Sequence, residues 1–415
     1  MNFDDTPEEA VFRAKVRAWI DANAPKQFED ELRAAYFYSV GIRSEDPIPL
    51  AKAWQAKKAE AGYACPHWPR EYGGGGMSPI ERVIWQQEEG HYWLLSAPFI
   101  IAHGMCGPTI IIWGSEAQKQ DYLPPMITGE TVWCQLFSEP VAGSDLAGLR
   151  TRAEQDESGD WIVNGQKVWT SSAHRSDHGL LIARTDPTVP KHKGLTAFLV
   201  DMRAPGVEVH PIRQANDARD FNAVYFSDVR ITDANRLGPV GKGWEVALTT
   251  LMNERLSIGS QIPTGFPELF AFVSGLETTD GPAIQDRAVQ SKLAQWAVRA
   301  SGLKYPVLRG ITALSRGENP GPENSIGKLV AGTMIQEIAS FALDLQGPAG
   351  ILTDKAQAPS AGWFQGLLLR SPGNRIAGGT DEILRNIIAE RVLGLPGDIR
   401  ADKGIPFNQI PTKAS

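Results

Sequence analysis

The stretch Cys134–Ser172 carries the residue types with which a chain could hold a flat, polar-edged ring. It opens Cys134-Gln135-Leu136-Phe137-Ser138-Glu139-Pro140, continues Ala142-Gly143-Ser144-Asp145-Leu146, and closes Asn164-Gly165-Gln166-Lys167-Val168-Trp169-Thr170-Ser171-Ser172. Trp161-Ile162-Val163 is β-prone, and Asn164-Gly165 has the composition of a two-residue hairpin turn. Such a scaffold presents small hydroxyls and one large aromatic from adjacent strands. Hydroxyls bond a ring's polar edge and an indole covers its face, so the expectation is a cofactor face. Taken alone, Trp169 could as well be a core tryptophan; Lys167 and Ser171 beside it favour the cofactor.

Other motifs carry less. Gly73–Gly76 lacks the Lys-Ser/Thr ending and the preceding strand of a phosphate cradle, so it is a turn. His174 and His178 are four apart, but their context is β and no Glu follows the first, so no metal site is expected. Gly241-Lys242-Gly243 is a linker. Cys65, Cys106 and Cys134 are odd in number and irregularly spaced, which indicates neither disulfides nor zinc and fits a reducing cytoplasm.

The elements that must position these residues change texture twice. Residues 1–130 are mostly helical, with Val11, Phe12, Val16, Trp19 and Ile20 at helical spacing after Pro7. From 131 to 240 short β-prone runs, among them Leu180–Ala183, Thr196–Val200 and Ala223–Ile231, predict a small barrel or sandwich. From 241 to 395 helices return, and 396–415 is an unstructured tail or an arm docking on a neighbour. The expected architecture is therefore α+β and multidomain: an all-α domain, a β-domain, and a C-terminal helical bundle. At 415 residues two or three domains are the prior. A net charge of −7 gives no reason to expect nucleic acid or an anionic membrane, the acidic N-terminus is no signal peptide, and no run suggests a membrane span.

In this order, these segments resemble the acyl-CoA dehydrogenase family of flavoenzymes. The similarity runs from Trp68-Pro69-Arg70-Glu71-Tyr72-Gly73-Gly74 to Ile388-Ala389-Glu390-Arg391-Val392-Leu393-Gly394, with Gly379-Thr380-Asp381-Glu382-Ile383 its second specific piece. The resemblance implies a four-helix C-terminal domain and FAD held between it and the β-domain. It places Leu136, Phe137 and Ser138 under the pyrimidine side of the flavin, with Gly143 and Ser144 also among the cofactor-binding residues. Trp169 would cover the ring and the Ser171 hydroxyl would reach N5. Thr380 and Glu382 would meet the ribityl–pyrophosphate region, and Ser144 the acyl-CoA. The cofactor does the redox step while the protein orients and tunes it.

Many members carry the catalytic glutamate just before the Gly-Thr pair; here that position is Gly378. A smaller branch supplies the base from an earlier helix, and Leu251-Met252-Asn253-Glu254-Arg255-Leu256 matches it. A helix from Trp244 through Leu248, Leu251 and Ile258 should bury one face, and a desolvated carboxylate is a better base. Glu254 is the expected base and Arg255 the CoA-side arginine, although a Glu-Arg pair alone would be an ordinary solvated pair. Ala377 and Gly378 remove bulk, which points to a branched, cyclic or steroid-like acyl group.

In the family a neighbouring subunit helps to hold the ADP end of FAD. The matching positions here are Leu276, Thr279 and Asp344, which cannot replace an arginine fork on a pyrophosphate. Either Arg287 or another cation compensates, or the chain pairs with a homologous subunit in an α2β2 heterotetramer rather than a homotetramer or homodimer. The resemblance implies an electron-transferring flavoprotein as acceptor. The alternatives are an acyl-CoA oxidase or monooxygenase on the same scaffold, and a non-catalytic subunit, which Gly378 favours and Glu254 opposes.

Overall fold

The computed structural model describes residues 5–29, 32, 47–258, 264–315, 321–322, 325–397, 399–400 and 402–411. The chain packs as two compact units, Met1–Ser257 with Ile399–Ser415, and Ile258–Asp398.

The first unit begins with helices α1 (Pro7–Asn23), α2 (Pro47–Glu60), α3 (Pro79–Glu89), α4 (Gly107–Trp113) and α5 (Glu116–Thr128). Three of them start where the sequence supplies a capping box: Thr6 with Glu9, Ser78 with Glu81, and Ser115 with Gln118. Each box satisfies backbone N–H groups that the first turn leaves unpaired.

The β-layer is one eight-stranded sheet of β1 (Trp133–Leu136), β2 (Arg152–Gln155), β3 (Trp161–Ser171), β4 (His178–Arg184), β5 (Leu195–Asp201), β6 (Val207–Pro211), β7 (Phe221–Ile231) and β8 (Arg236–Leu237). Its order is β6-β7-β3-β2-β4-β5-β8, with β1 parallel to β4. The unbroken apolar runs of β4 and β5 reflect burial on both faces. Leu180, Ile182, Leu195, Ala197 and Leu199 pack with Trp68, Cys106, Ile110 and Met126 of the helical layer. Leu181, Ala183, Phe198 and Val200 fill the other face with Val224 and Phe226.

Helix α6 (Gly243–Ile258) follows and joins the same core through Val246 and Ala247. The sequence changes texture near residue 240, but the packing boundary comes later because of these contacts.

Two expectations fail here. Asn164-Gly165 is no turn: both residues lie inside β3, and the register against β7 shifts between Val163 and Gly165. Gly165 is needed because its φ is 153° and a Cβ there would lie 2.5 Å from Thr151 Oγ1. The β2–β3 turn is instead Asp156–Gly159, where the Asp156 carboxylate accepts from the N–H groups of Ser158 and Asp160 and Gly159 has φ 90°. The C-terminal segment also departs from expectation. It docks on this chain's own β-layer, with Phe407 N donating to Val189 O and Asn408 N to Pro187 O.

The second unit holds α7 (Phe266–Ser274), a short hairpin (Glu277–Thr278 with Gly281–Pro282), α8 (Arg287–Ser315), α9 (Ser325–Gln346), α10 (Trp363–Asn374) and α11 (Asp381–Ile387). Its interior includes Leu269, Val273, Trp296, Met334, Ile338 and Phe364. The run Ser325–Ile351 is long enough, and apolar enough over part of its length, to cross a membrane by length and composition. That qualifies the expectation of no such run. Met334, Ile335, Ile338, Ala339 and Ala342 of α9 are nevertheless buried within the chain, as in a bundle's core helix.

Gly165→Ala should destabilise the protein by about 1–3 kcal/mol through strain and overlap. Gly302→Ala, in α8 with open space around its Cα, should stabilise by about 0.5–1 kcal/mol. Chemical denaturation of both variants checks the contrast.

Candidate functional site

Two backbone segments of the first unit meet around Trp169. Leu136 ends β1 fully buried against β4, opposite Leu181. The chain then leaves the sheet, and Ser138 O accepts from Val168 N at 2.9 Å. Phe137 O accepts from Lys167 Nζ at 3.0 Å. The structure thus brings together Phe137, Ser138 and the end of β3, as expected.

Lys167 has a role that the sequence did not reveal. Its ammonium is fully buried and pairs with Glu139 Oε1 at 2.8 Å. Glu139 also accepts from Arg150 N at 2.6 Å and Thr151 N at 2.9 Å. Burial acts to raise the Glu139 carboxyl, but Lys167 and these donors overcome it and hold it below the usual glutamate range. Burial pulls Lys167 down to about 8 against the pull of Glu139. The pair ties the segment after β1 to β3 from beneath. A signal for it did exist, since Glu139 and Lys167 both lie in the two quoted runs, but nothing in the spacing showed that they meet.

Beyond Lys167 the strand bulges. The register passes from Lys167↔Val224 to Thr170↔Asn222, so Val168 and Trp169 together oppose Ala223. Trp169 has φ 60° and Ser172 φ 57°, which is strained backbone for side-chained residues. The bulge turns the indole outward. Trp169 is 59% exposed, whereas the other tryptophans are buried or half-buried, so it is no core residue. Phe221 meets it edge-on at 6.1 Å.

Asn222 holds the arc from behind. It is fully buried, and its Nδ2 donates to Thr170 O at 2.9 Å. His174 Nδ1 lies 3.1 Å from Asn222 Oδ1 and donates to it in the matching tautomer. Ser172 N donates to Asp220 O. Half-buried Ser171 lies between these anchors, and the Thr170 hydroxyl is buried beside it without a partner. These features fit the ring half of FAD: an uncovered indole face, a hydroxyl at the strand end, and the Phe137–Ser138 backbone alongside. The expected Gly143 and Ser144 lie exposed at a loop tip, with open space around Gly143.

Glu254 lies on α6, which is pinned to the helical layer. Thr250 and Thr109 hydroxyls are 3.0 Å apart, and Trp113 Nε1 donates to Thr249 Oγ1 at 3.0 Å. With 3.6 residues per turn, Glu254 falls one turn beyond Thr250 and two beyond Ala247, so it continues the inward stripe and is half-buried. The buried face is not the one expected from Leu248, which is exposed along with Met252. The Arg255 side chain lies outside the described residues.

In the second unit, Gly378 and Gly379 have φ 67° and 103°, a turn that L side chains rarely adopt. Thr380 caps α11 by accepting from Ile383 N at 3.2 Å. Glu382 is held below its usual range by its own backbone N–H and the Thr380 hydroxyl. A full carboxylate there suits ribose hydroxyls better than a phosphate. Ala377, Thr279 and Arg287 are exposed and Leu276 is half-buried. Among the described residues no group of three His, Cys, Asp or Glu could hold a metal ion.

Lys167→Met should cost about 3–5 kcal/mol by stranding a buried carboxylate, with Lys167→Met/Glu139→Leu recovering most of it. Because the Glu139 pKa is lowered on folding, its stabilisation is present above the unfolded value of 4.5 and is lost as pH falls through the lowered value. Thermal melts across that acid range should be flatter for Glu139→Gln than for the wild type.

Comparison with known proteins shows the family. The N-terminal, middle and C-terminal domains of acyl-CoA dehydrogenases match residues 6–130, 134–229 and 241–393. The acyl-CoA dehydrogenase IpdE1 of Mycolicibacterium smegmatis is 36% identical over 94% of this chain and 98% of its own length. FadE34 of Mycobacterium tuberculosis is 37% identical over 82% of this chain, which spans 46% of that longer protein. Among solved structures, the ChsE4-ChsE5 complex from Mycobacterium tuberculosis superposes with a TM-score of 0.77 at 28% identity, covering 96% of this chain and 100% of that one. The Tcur3481-Tcur3483 steroid ACAD does so at 0.79 and 26%, with the same coverage. The chain belongs to the acyl-CoA dehydrogenase family of FAD-dependent oxidoreductases.

Proposed function

We propose that this chain oxidises an acyl-CoA thioester to the trans-2-enoyl-CoA with Glu254 as the base. The observation that carries this reading is a paired one. The usual base position, Gly378, sits in a left-handed turn without a side chain, while Glu254 continues the inward stripe of a pinned helix. Glu254 takes the α-proton, and the thioester's two lost hydrogens are accounted for by that proton and a β-hydride. Bound FAD supplies the hydride acceptor. Trp169 covers the ring, Ser171 presents its hydroxyl to the N5 edge, and Phe137–Ser138 present backbone and hydroxyl to the pyrimidine edge. Thr380 and Glu382 meet the ribityl–pyrophosphate region, Ser144 meets the acyl-CoA, and Arg255 lies on its CoA side. Half-burial of Glu254 lets substrate complete its desolvation, which strengthens it as a base.

The acyl group is bulky and cyclic or branched in this reading. Ala377 and Gly378 leave room, and one structural neighbour is described as a steroid ACAD. The partner is a homologous subunit in an α2β2 assembly with two FAD. Leu276, Thr279 and Asp344 supply no cation for a pyrophosphate, and a structural neighbour is a ChsE4-ChsE5 complex. Electrons pass on to an electron-transferring flavoprotein.

Glu254→Gln should retain bound flavin while turnover falls by about 10²–10⁴-fold, the usual range for a general base. Retained turnover would refute the assignment. Expressed alone, the chain should hold less than one FAD per chain, rising when a neighbouring homologue is co-expressed; full flavin content in an active homotetramer would sink the heteromer.

A further inference from the structure

The C-terminal segment lies across the loop that carries Ser144. Arg184 at the end of β4 is buried, and its guanidinium donates to Ala147 O at 2.6 Å, Leu149 O at 3.1 Å and Lys191 O at 3.2 Å. All three acceptors are neutral carbonyls, and two of them belong to the turn just after Ser144 and Asp145. The Phe407 ring covers the open face of this cation at 3.5 Å from Arg184 Cζ, with Arg150 at 5.8 Å. A cation held by carbonyls and capped by an aromatic keeps its geometry only while water is kept out. Burial pulls Arg184 down to about 10, as expected of a guanidinium so enclosed.

A second tie reaches the same loop. Lys191 Nζ bonds both Asp145 oxygens at 2.8 and 2.9 Å and also pairs with Asp402. The segment is registered by backbone bonds to Pro187 and Val189 and by a bridge between Pro190 and Pro406. Gly143, Ser144 and Asp145 are exposed, while Leu146 and Ala147 beneath them are buried. Apart from the Asp145–Lys191 pair the tip is exposed to solvent, and its position depends on what holds its base.

We propose that residues 402–410 form a strap that positions the Gly143–Leu149 loop through Arg184 and Lys191, which makes Phe407 a positioning residue for acyl-CoA binding. The proposal rests on the reading of Ser144 as an acyl-CoA contact. It adds a part of the chain outside all three matched domain segments, since those end at residue 393.

The test uses the full-length, FAD-loaded protein with coenzyme A as calorimetric probe. Phe407→Ala should weaken coenzyme A by about tenfold, the loss of one desolvated cation–π contact, and Phe407→Trp should restore it. The KM for thioester should rise with kcat unchanged, and the flavin absorption spectrum should stay the same. Asp402→Asn should give a smaller effect of the same kind and serves if Phe407→Ala does not fold. Unchanged affinity in these variants would overturn the strap, as would a loss of affinity matched by loss of flavin. Ser144→Trp separates the two readings. If it leaves coenzyme A binding intact, the Ser144 contact fails and the strap with it. If it abolishes binding while Phe407→Ala and Asp402→Asn do not, the strap alone fails.

Discussion

The buried Lys167–Glu139 pair is the constraint on which the candidate site depends. Two opposite charges in a dry interior are tolerable only when their remaining donors and acceptors are satisfied. Here Glu139 takes three donors, and Lys167 gives one further bond to Phe137 O. Satisfying the pair fixes where Phe137–Ser138 lies against the end of β3. The bulge turns its extra residue outward. The strained φ of Trp169 is a consequence of that arrangement, held in place by Asn222 from the opposite strand. Cost is concentrated where a ligand ring would be received, a pattern common to functional sites.

The same economy appears at the carboxylate. A glutamate at position 378 would have to occupy a left-handed turn, whereas Glu254 needs only ordinary helix geometry. Its helix is anchored by the paired hydroxyls of Thr109 and Thr250 and by Val246 and Ala247 in the shared core. A side chain mounted on a packed helix is placed by the rigidity of the whole layer. One mounted on a glycine-rich turn depends on local conformation alone.

Much of this was legible in the residues. Short β-prone runs between turn residues marked β4, β5 and β7, and the order of helical, β and helical texture marked the layers. Trp169 and Ser171 stood out as candidates by residue type and context, and the family resemblance added Phe137 and Ser138. What failed did so for definable reasons. Asn164-Gly165 has turn chemistry, but glycine also serves where two backbones approach closely, and Thr151 is the neighbour that required it. Leu248 is apolar yet exposed, because helical spacing reveals an apolar face without showing which side meets the core. The final segment has little apolar periodicity, and its docking rests on an aromatic–guanidinium contact and backbone bonds that no local pattern announces.

By itself the sequence determined the layers and the cast of residues, because hydrophobic period, turn chemistry and residue type are local properties. Tertiary structure decided which of those residues meet. Glu139 and Lys167 are 28 positions apart, Arg184 and Phe407 lie in segments remote from each other, and Glu254 faces inward only because α6 is pinned to α4. Each of these is a long-range contact, selected by the packing of the whole first unit and by the need to satisfy buried charge. Such contacts leave almost no trace in the neighbouring residues.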